Sequence, residues 1–141
     1  MPANTAPIFP NAPIVSFGTV ATANTAKDGT GTVVTIATGG TNGTRVDAIK
    51  IRALGTNVAT VVRFFINNGS TNATATNNTL FYEVTVPATT LSEVAALNDI
   101  SIAFDGNFLP QLVLPSGYKI NVTIGTTVAA GLQITTFGGN Y

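Results

Sequence analysis

The chain has 141 residues, with six Lys plus Arg against six Asp plus Glu, and a formal net charge of zero. It holds no His, Cys or Trp, which excludes disulfides, thiol nucleophiles, a Ser-His-Asp triad, zinc fingers and haem ligation by His or Cys. Only 9% of residues are charged, so the basic footprint of a nucleic-acid binder is missing, and no apolar run is long enough for a membrane-spanning helix.

The chain is filled instead by 24 Thr, 18 Ala, 14 Asn and 14 Gly. Thr suits a pleated, half-buried surface, and Asn and Gly supply turns. With three Lys, three Arg and two Glu, charged helix faces cannot be built. The expectation is an all-β protein whose surface is polar through hydroxyls and amides.

Residues 1–13 carry Pro2, Pro7, Pro10 and Pro13, which fix φ and remove donors. They predict an extended N-terminal arm. Ile8 and Phe9 within it are apolar, as an arm lying across a neighbouring subunit would need. The first residues have neither a basic start nor an apolar stretch. The expectation is therefore a protein kept in the cytoplasm where it is made, or leaving it inside a virus particle.

Residues 14–21 predict the first strand, and the turn-rich residues 23–31 a loop. The β-branched run 32–38 predicts a second strand, followed by a turn containing Asn42-Gly43. Residues 45–54 and 58–67 predict the next two. Residues 67–78 are polar throughout and predict a long exposed loop. Residues 79–86 predict a strand stopped by Pro87. Residues 89–98 form the one helical candidate, with Thr90 as N-cap and Glu93 three positions on. Strands at 99–105 and 118–125 follow, separated by the short apolar run 112–114, and 132–137 is the last. Eight short strands about ten residues apart predict a single-domain β-sandwich over 14–141, an eight-stranded jelly roll.

Alternation assigns faces to these strands. In 58–67 the core face carries Val58, Thr60, Val62, Phe64 and Ile66. In 79–86 it carries Leu80, Tyr82, Val84 and Val86. If the two strands pair, Arg63 and Glu83 meet on the outer face. Phe65 and Phe81 also fall there, either as a subunit contact or covered by residues 89–98 or a loop. In 45–54 the core face is Asp47, Ile49, Ile51 and Ala53. Lys50 and Arg52 then lie outside, solvated, paired with acidic neighbours, or docked on an acidic partner surface.

Chemistry is hard to place. The six carboxylates are Asp28, Asp47, Glu83, Glu93, Asp99 and Asp105. Asp99 and Asp105 bracket a predicted strand and would be about 20 Å apart, too far for a glycosidase pair. Asp105-Gly106-Asn107 lacks the remaining ligands of an EF-hand loop. Gly29-Thr30-Gly31 has no P-loop lysine after it. Five Asn-x-Ser/Thr sequons are expected by chance in so Asn- and Thr-rich a chain. No catalytic residue, metal or cofactor is expected.

Several stretches carry a family likeness. Asn42-Gly43-Thr44-Arg45-Val46-Asp47-Ala48-Ile49-Lys50-Ile51-Arg52-Ala53, Val61-Val62-Arg63-Phe64-Phe65-Ile66, Phe81-Tyr82-Glu83-Val84-Thr85-Val86-Pro87 and Leu112-Val113-Leu114-Pro115-Ser116-Gly117-Tyr118 occur in that order. With the ending Thr136-Phe137-Gly138-Gly139-Asn140-Tyr141, they resemble small virion proteins of tailed bacteriophages. Asn140 stands where that ending carries Asp. The likeness covers residues 30–141. It implies a capsid decoration (cement) protein on the outside of the virion head, trimeric, bound to the major capsid protein, and assembled in the bacterial host cytoplasm. No nucleic acid, membrane or enzymatic activity is implied. Ile8, Phe9, Lys50, Arg52, Phe65 and Phe81 are the expected protein-interface residues. A tail or fibre component, or a carbohydrate-binding adhesin module using loop 67–78, are the alternatives.

Overall fold

The computed structural model describes residues 9–97, 99–107 and 109–141. Among them the chain is all-β, with one 3-10 turn at Ala75–Asn77 and no α-helix. The strands are β1 (Ala12–Val20), β2 (Val34–Thr38), β3 (Thr44–Ala53), β4 (Thr60–Asn67), β5 (Asn78–Val86), β6 (Asp99–Ala103), β7 (Leu112–Leu114), β8 (Lys119–Ile124) and β9 (Leu132–Asn140).

They form two antiparallel sheets. The first has the order β1-β9-β3-β6, with β7 also paired to β3, and the second has the order β2-β8-β4-β5. Pairing is nested: β1 with β9, β2 with β8, β3 with β6 and β7, and β4 with β5. The ladders β9–β3 and β8–β4 join these pairs side by side.

Among the described residues nine strands stand where eight are expected, because the apolar run 112–114 pairs as a strand. β7 lines Thr44, Arg45 and Val46, and β6 lines β3 from Ala48 to Arg52. Asp47 lies at the break, and its carbonyl accepts from the Phe104 amide at 2.9 Å. The two short strands thus share one edge position.

One apolar core lies between the sheets. Ile49, Ile51 and Ile134 from the first meet Val62, Phe64, Val122 and Ile124 from the second, all essentially fully buried. Each such side chain contributes roughly 1.5–3 kcal/mol on burial, before the entropy of ordering the chain is counted.

Three bulges decide which side chains reach that core. In β3 the ladder to β9 shifts between Val46 and Ala48. Val46 is therefore buried together with Ile49 and Ile51, and Asp47, expected inside, is exposed. In β2 the ladder shifts across Ile36. In β5 the partners are Phe64 with Tyr82 and Phe65 with Leu80, so Phe81 is the extra residue. Phe81 turns inward, with ring centroids 6.2 Å from Phe64 and 6.3 Å from Phe104. Leu80, expected inside, is partly exposed.

The helix expected over 89–98 does not form in its described part, 89–97. The Thr89 backbone exchanges two hydrogen bonds with Asn57, and the Leu91 amide donates to Thr56 Oγ1 at 3.0 Å. Ser92 Oγ accepts from the Val94 amide in a local turn. Val94 is 96% exposed, so no apolar stripe anchors a helix here.

The first strand also begins earlier than residue 14. The Asn11 amide donates to the Asn140 carbonyl at 2.9 Å, and Ala12 and Pro13 already belong to β1. Residues 1–8, including Ile8, lie outside the described residues.

Candidate interaction surface

The two sheets present very different outer faces. On the second sheet, β4 and β8 alternate without interruption, pairing Arg63 with Thr123 and Phe65 with Asn121. These residues face away from the core, yet Phe65, Asn67, Asn121 and Thr123 are all buried. Residues 21–33 cross this face. The Asn24 amide donates to the Ile124 carbonyl at 2.8 Å, and Lys27 lies beside Val61, Arg63 and Leu80. Asn72 Nδ2 ties this loop down by donating to the Gly29 and Gly31 carbonyls. Amides and hydroxyls, rather than charges, hold the cover in place.

Phe65 is therefore not an exposed contact residue. Phe81 is not one either, because the β5 bulge turns it into the core. Arg63 and Glu83 do meet as alternation predicts, with Nε donating to Oε1 at 2.8 Å. The Arg63 side chain is only 12% exposed, and its Nη1 is buried without a partner among the described residues.

The first sheet has an open outer face. Register places Val15 beside Phe137 and Phe137 beside Ala48. The next row is Phe17, Thr135, Lys50 and Ser101, and the row after it is Thr19, Gln133, Arg52 and Asp99. Val15 is 62%, Phe17 63% and Phe137 39% exposed. At one end Pro10 lies over Gly139, where a Cβ would meet its ring. Phe9, directly before Pro10, is 73% exposed.

Lys50 and Arg52 sit on this same face. Lys50 Nζ donates to Asp99 Oδ2 at 2.6 Å, which holds the Asp99 carboxyl below the usual aspartate value of 3.8. Arg52 is exposed opposite Asp99 in the ladder and adds to that lowering. Arg45 Nε donates to Asp47 Oδ1 at 2.7 Å. Arg45 and Lys50 are thus paired, and Arg52 is the one charge on the face without a salt bridge among the described residues. Exposed pairs of this kind contribute little, so most of the face's contact energy must come from apolar area.

Val15, Phe17 and Phe137 escape a sequence reading. Alternation in β1 separates Ile14, Ser16 and Gly18 from Val15, Phe17 and Thr19, and hydrophobicity alone favours burying the second set. The reverse holds because β1 passes close to β2: a Cβ on Gly18 would run into the Val34 side chain. Only the sheet packing reveals this.

Nothing in the described residues assembles a reactive centre. No group of three or more acidic side chains lies close enough to hold a metal among them. The cleft beside residues 87–90 encloses about 210 Å³ and is lined by Ile51, Ala53, Val86, Leu97 and Ile100. That is small for a ligand pocket, and Thr89 and Thr90 are the only polar side chains in its lining. Three other, more open clefts enclose about 340, 440 and 420 Å³. Comparison with family models, with curated proteins and with solved structures gave no match to this chain.

Proposed function

We propose that the chain is a structural virion protein of a tailed bacteriophage, a capsid decoration (cement) protein. It binds the outside of the head shell through the major capsid protein, in trimers. The observation that carries this reading is the open face of the first sheet. Val15, Phe17 and Phe137 form an exposed apolar patch beside Phe9, in a chain with 9% charged residues. Such a patch fits a partner surface better than bulk water. The order of sequence stretches that resemble small phage virion proteins adds the class of partner.

The fold reading that goes with this is a jelly roll. It draws support from the nested pairing, in which a long two-stranded ribbon is rolled until β9 meets β3 and β8 meets β4. β6 and β7 together then stand for one strand of the ribbon.

The test is copy number in purified particles, by quantitative mass spectrometry against the main shell protein. The expected result is a fixed simple ratio, in the hundreds of copies. A few to a few dozen copies would move the protein to the tail or a fibre. Absence from particles would overturn both virion readings. Glycan binding by loop 67–78 would then be tested on a glycan array, although that loop carries no aromatic platform.

A further inference from the structure

Two sheets have four edges, and here the edges are not alike. β2 is five residues long and bulged at Ile36. β5 is bulged at Phe81 and carries Glu83. The edge formed by β6 and β7 is broken into pieces of five and three residues and begins with the ion-paired Asp99. Each of these devices obstructs pairing with another strand. β1 has none of them. It runs nine residues without a charge, keeps unbroken register with β9 from Ala12 to Val20, and among the described residues pairs with β9 alone. Pro13 is its one interruption, near the start.

We infer that β1 is a pairing edge, and that its occupant is β1 of a second copy of this chain, antiparallel across a two-fold axis. The choice of occupant rests on self-complementarity. Full-length antiparallel pairing of a nine-residue strand with itself centres on Ser16. In that register Val15 of each copy stands opposite Phe17 of the other, on the outer face, and Ile14 stands opposite Gly18 on the inner face. Two patches, each containing Phe137, fuse into one continuous apolar strip. No like charges are brought together, because β1 has no charge. The contact is isologous, so one surface serves both partners. It is independent of the virion reading. Three-fold association through another face remains compatible with it.

The experiment measures mass in solution by light scattering after size exclusion, at high micromolar concentration. The full-length chain is expected at an even multiple of the 14.4 kDa protomer. Val15→Lys with Phe17→Lys sets lysine against lysine across the axis and should halve that mass. Val15→Lys with Phe17→Glu sets opposite charges against each other in this register alone and should restore it. Both positions are exposed, and unchanged β-sheet circular dichroism verifies that each variant folds. A monomer, an odd multiple, or a mass that the double lysine leaves unaltered overturns the proposal. Failure of the Lys/Glu variant to re-associate overturns the register.

Discussion

Phe65 and Phe81 lie on opposite sides of one sheet, although uniform alternation would place them together. Phe65 is fully buried on the outer face, and Phe81 packs inward on Phe64. Phe65→Ala should therefore behave as a core truncation and cost about 3–5 kcal/mol in urea unfolding. Phe81→Ala should cost less, about 2 kcal/mol, because Phe81 is only partly buried. Hydrogen exchange in residues 21–33 should accelerate in the first variant and not in the second. The reverse pattern would contradict the bulge.

Arg63 and Glu83 form a lopsided ion pair, with side chains 12% and 48% exposed. Removing the carboxylate leaves the guanidinium enclosed without its counter-charge. Glu83→Gln is expected to cost about 1–2 kcal/mol. Added salt should reduce that cost only in part, since the guanidinium is enclosed while the half-exposed carboxylate is open to screening. A cost that vanishes in 1 M salt, where the screening length is about 3 Å, would show an ordinary surface pair instead.

Stability should be flat through neutral pH. With no histidine, no side chain of ordinary pKa titrates between about pH 5 and about pH 8. Asp28 is held below the aspartate value of 3.8 by hydrogen bonds from the Thr30 hydroxyl and amide, and Asp99 by its hydrogen bond from Lys50. The folded state thus binds these protons less tightly than the unfolded chain. The stability they contribute is complete above the ordinary value and is lost as pH falls through the lowered ones. Thermal melts should therefore show a limb on the acid side of neutrality, and Lys50→Met should shrink it.

Gly138 stands where β9 passes the β3 bulge, opposite Val46. A Cβ there would collide with the Arg45 carbonyl oxygen, a backbone atom that cannot swing aside. Gly138→Ala should cost about 2 kcal/mol or more by chemical denaturation. Gly117→Ala makes a useful comparison. Nothing lies near its Cβ, so any loss there reports only its positive φ of 77°.

Deleting residues 1–8 should leave the thermal midpoint within a few degrees of the full chain, because β1 begins at Ala12. On the proposed function, the same deletion should weaken binding to shells stripped of this protein. Equal binding would remove the arm from the contact.

The pairing of β4 with β5 is legible in the sequence, since alternating apolar residues and the Arg63–Glu83 match point to one register. The all-β class follows directly from the scarcity of charged helix formers. The bulges are not legible. Asp47 and Phe81 are displaced by the ladders beside them, and no local feature marks them as extra residues. The segment after Pro87 carries a helix-capping pattern, but Asn57 and Thr56 engage its backbone first. The open patch is hidden for the same reason: Gly18, not hydrophobicity, decides which way β1 faces.

The nested pairing also has a consequence in time. Ala12 is the register partner of Asn140, and Val20 of Leu132. A chain emerging from the ribosome cannot seat its first strand until residues 132–140 have been made. Until then β1, uncharged and apolar, waits without the neighbour that will flank it. Such distant closure makes for slow folding and exposes β1 to other copies being synthesised nearby. The rate of synthesis, and with it the time β1 spends unpaired, should then bear on how much of this protein reaches its folded state.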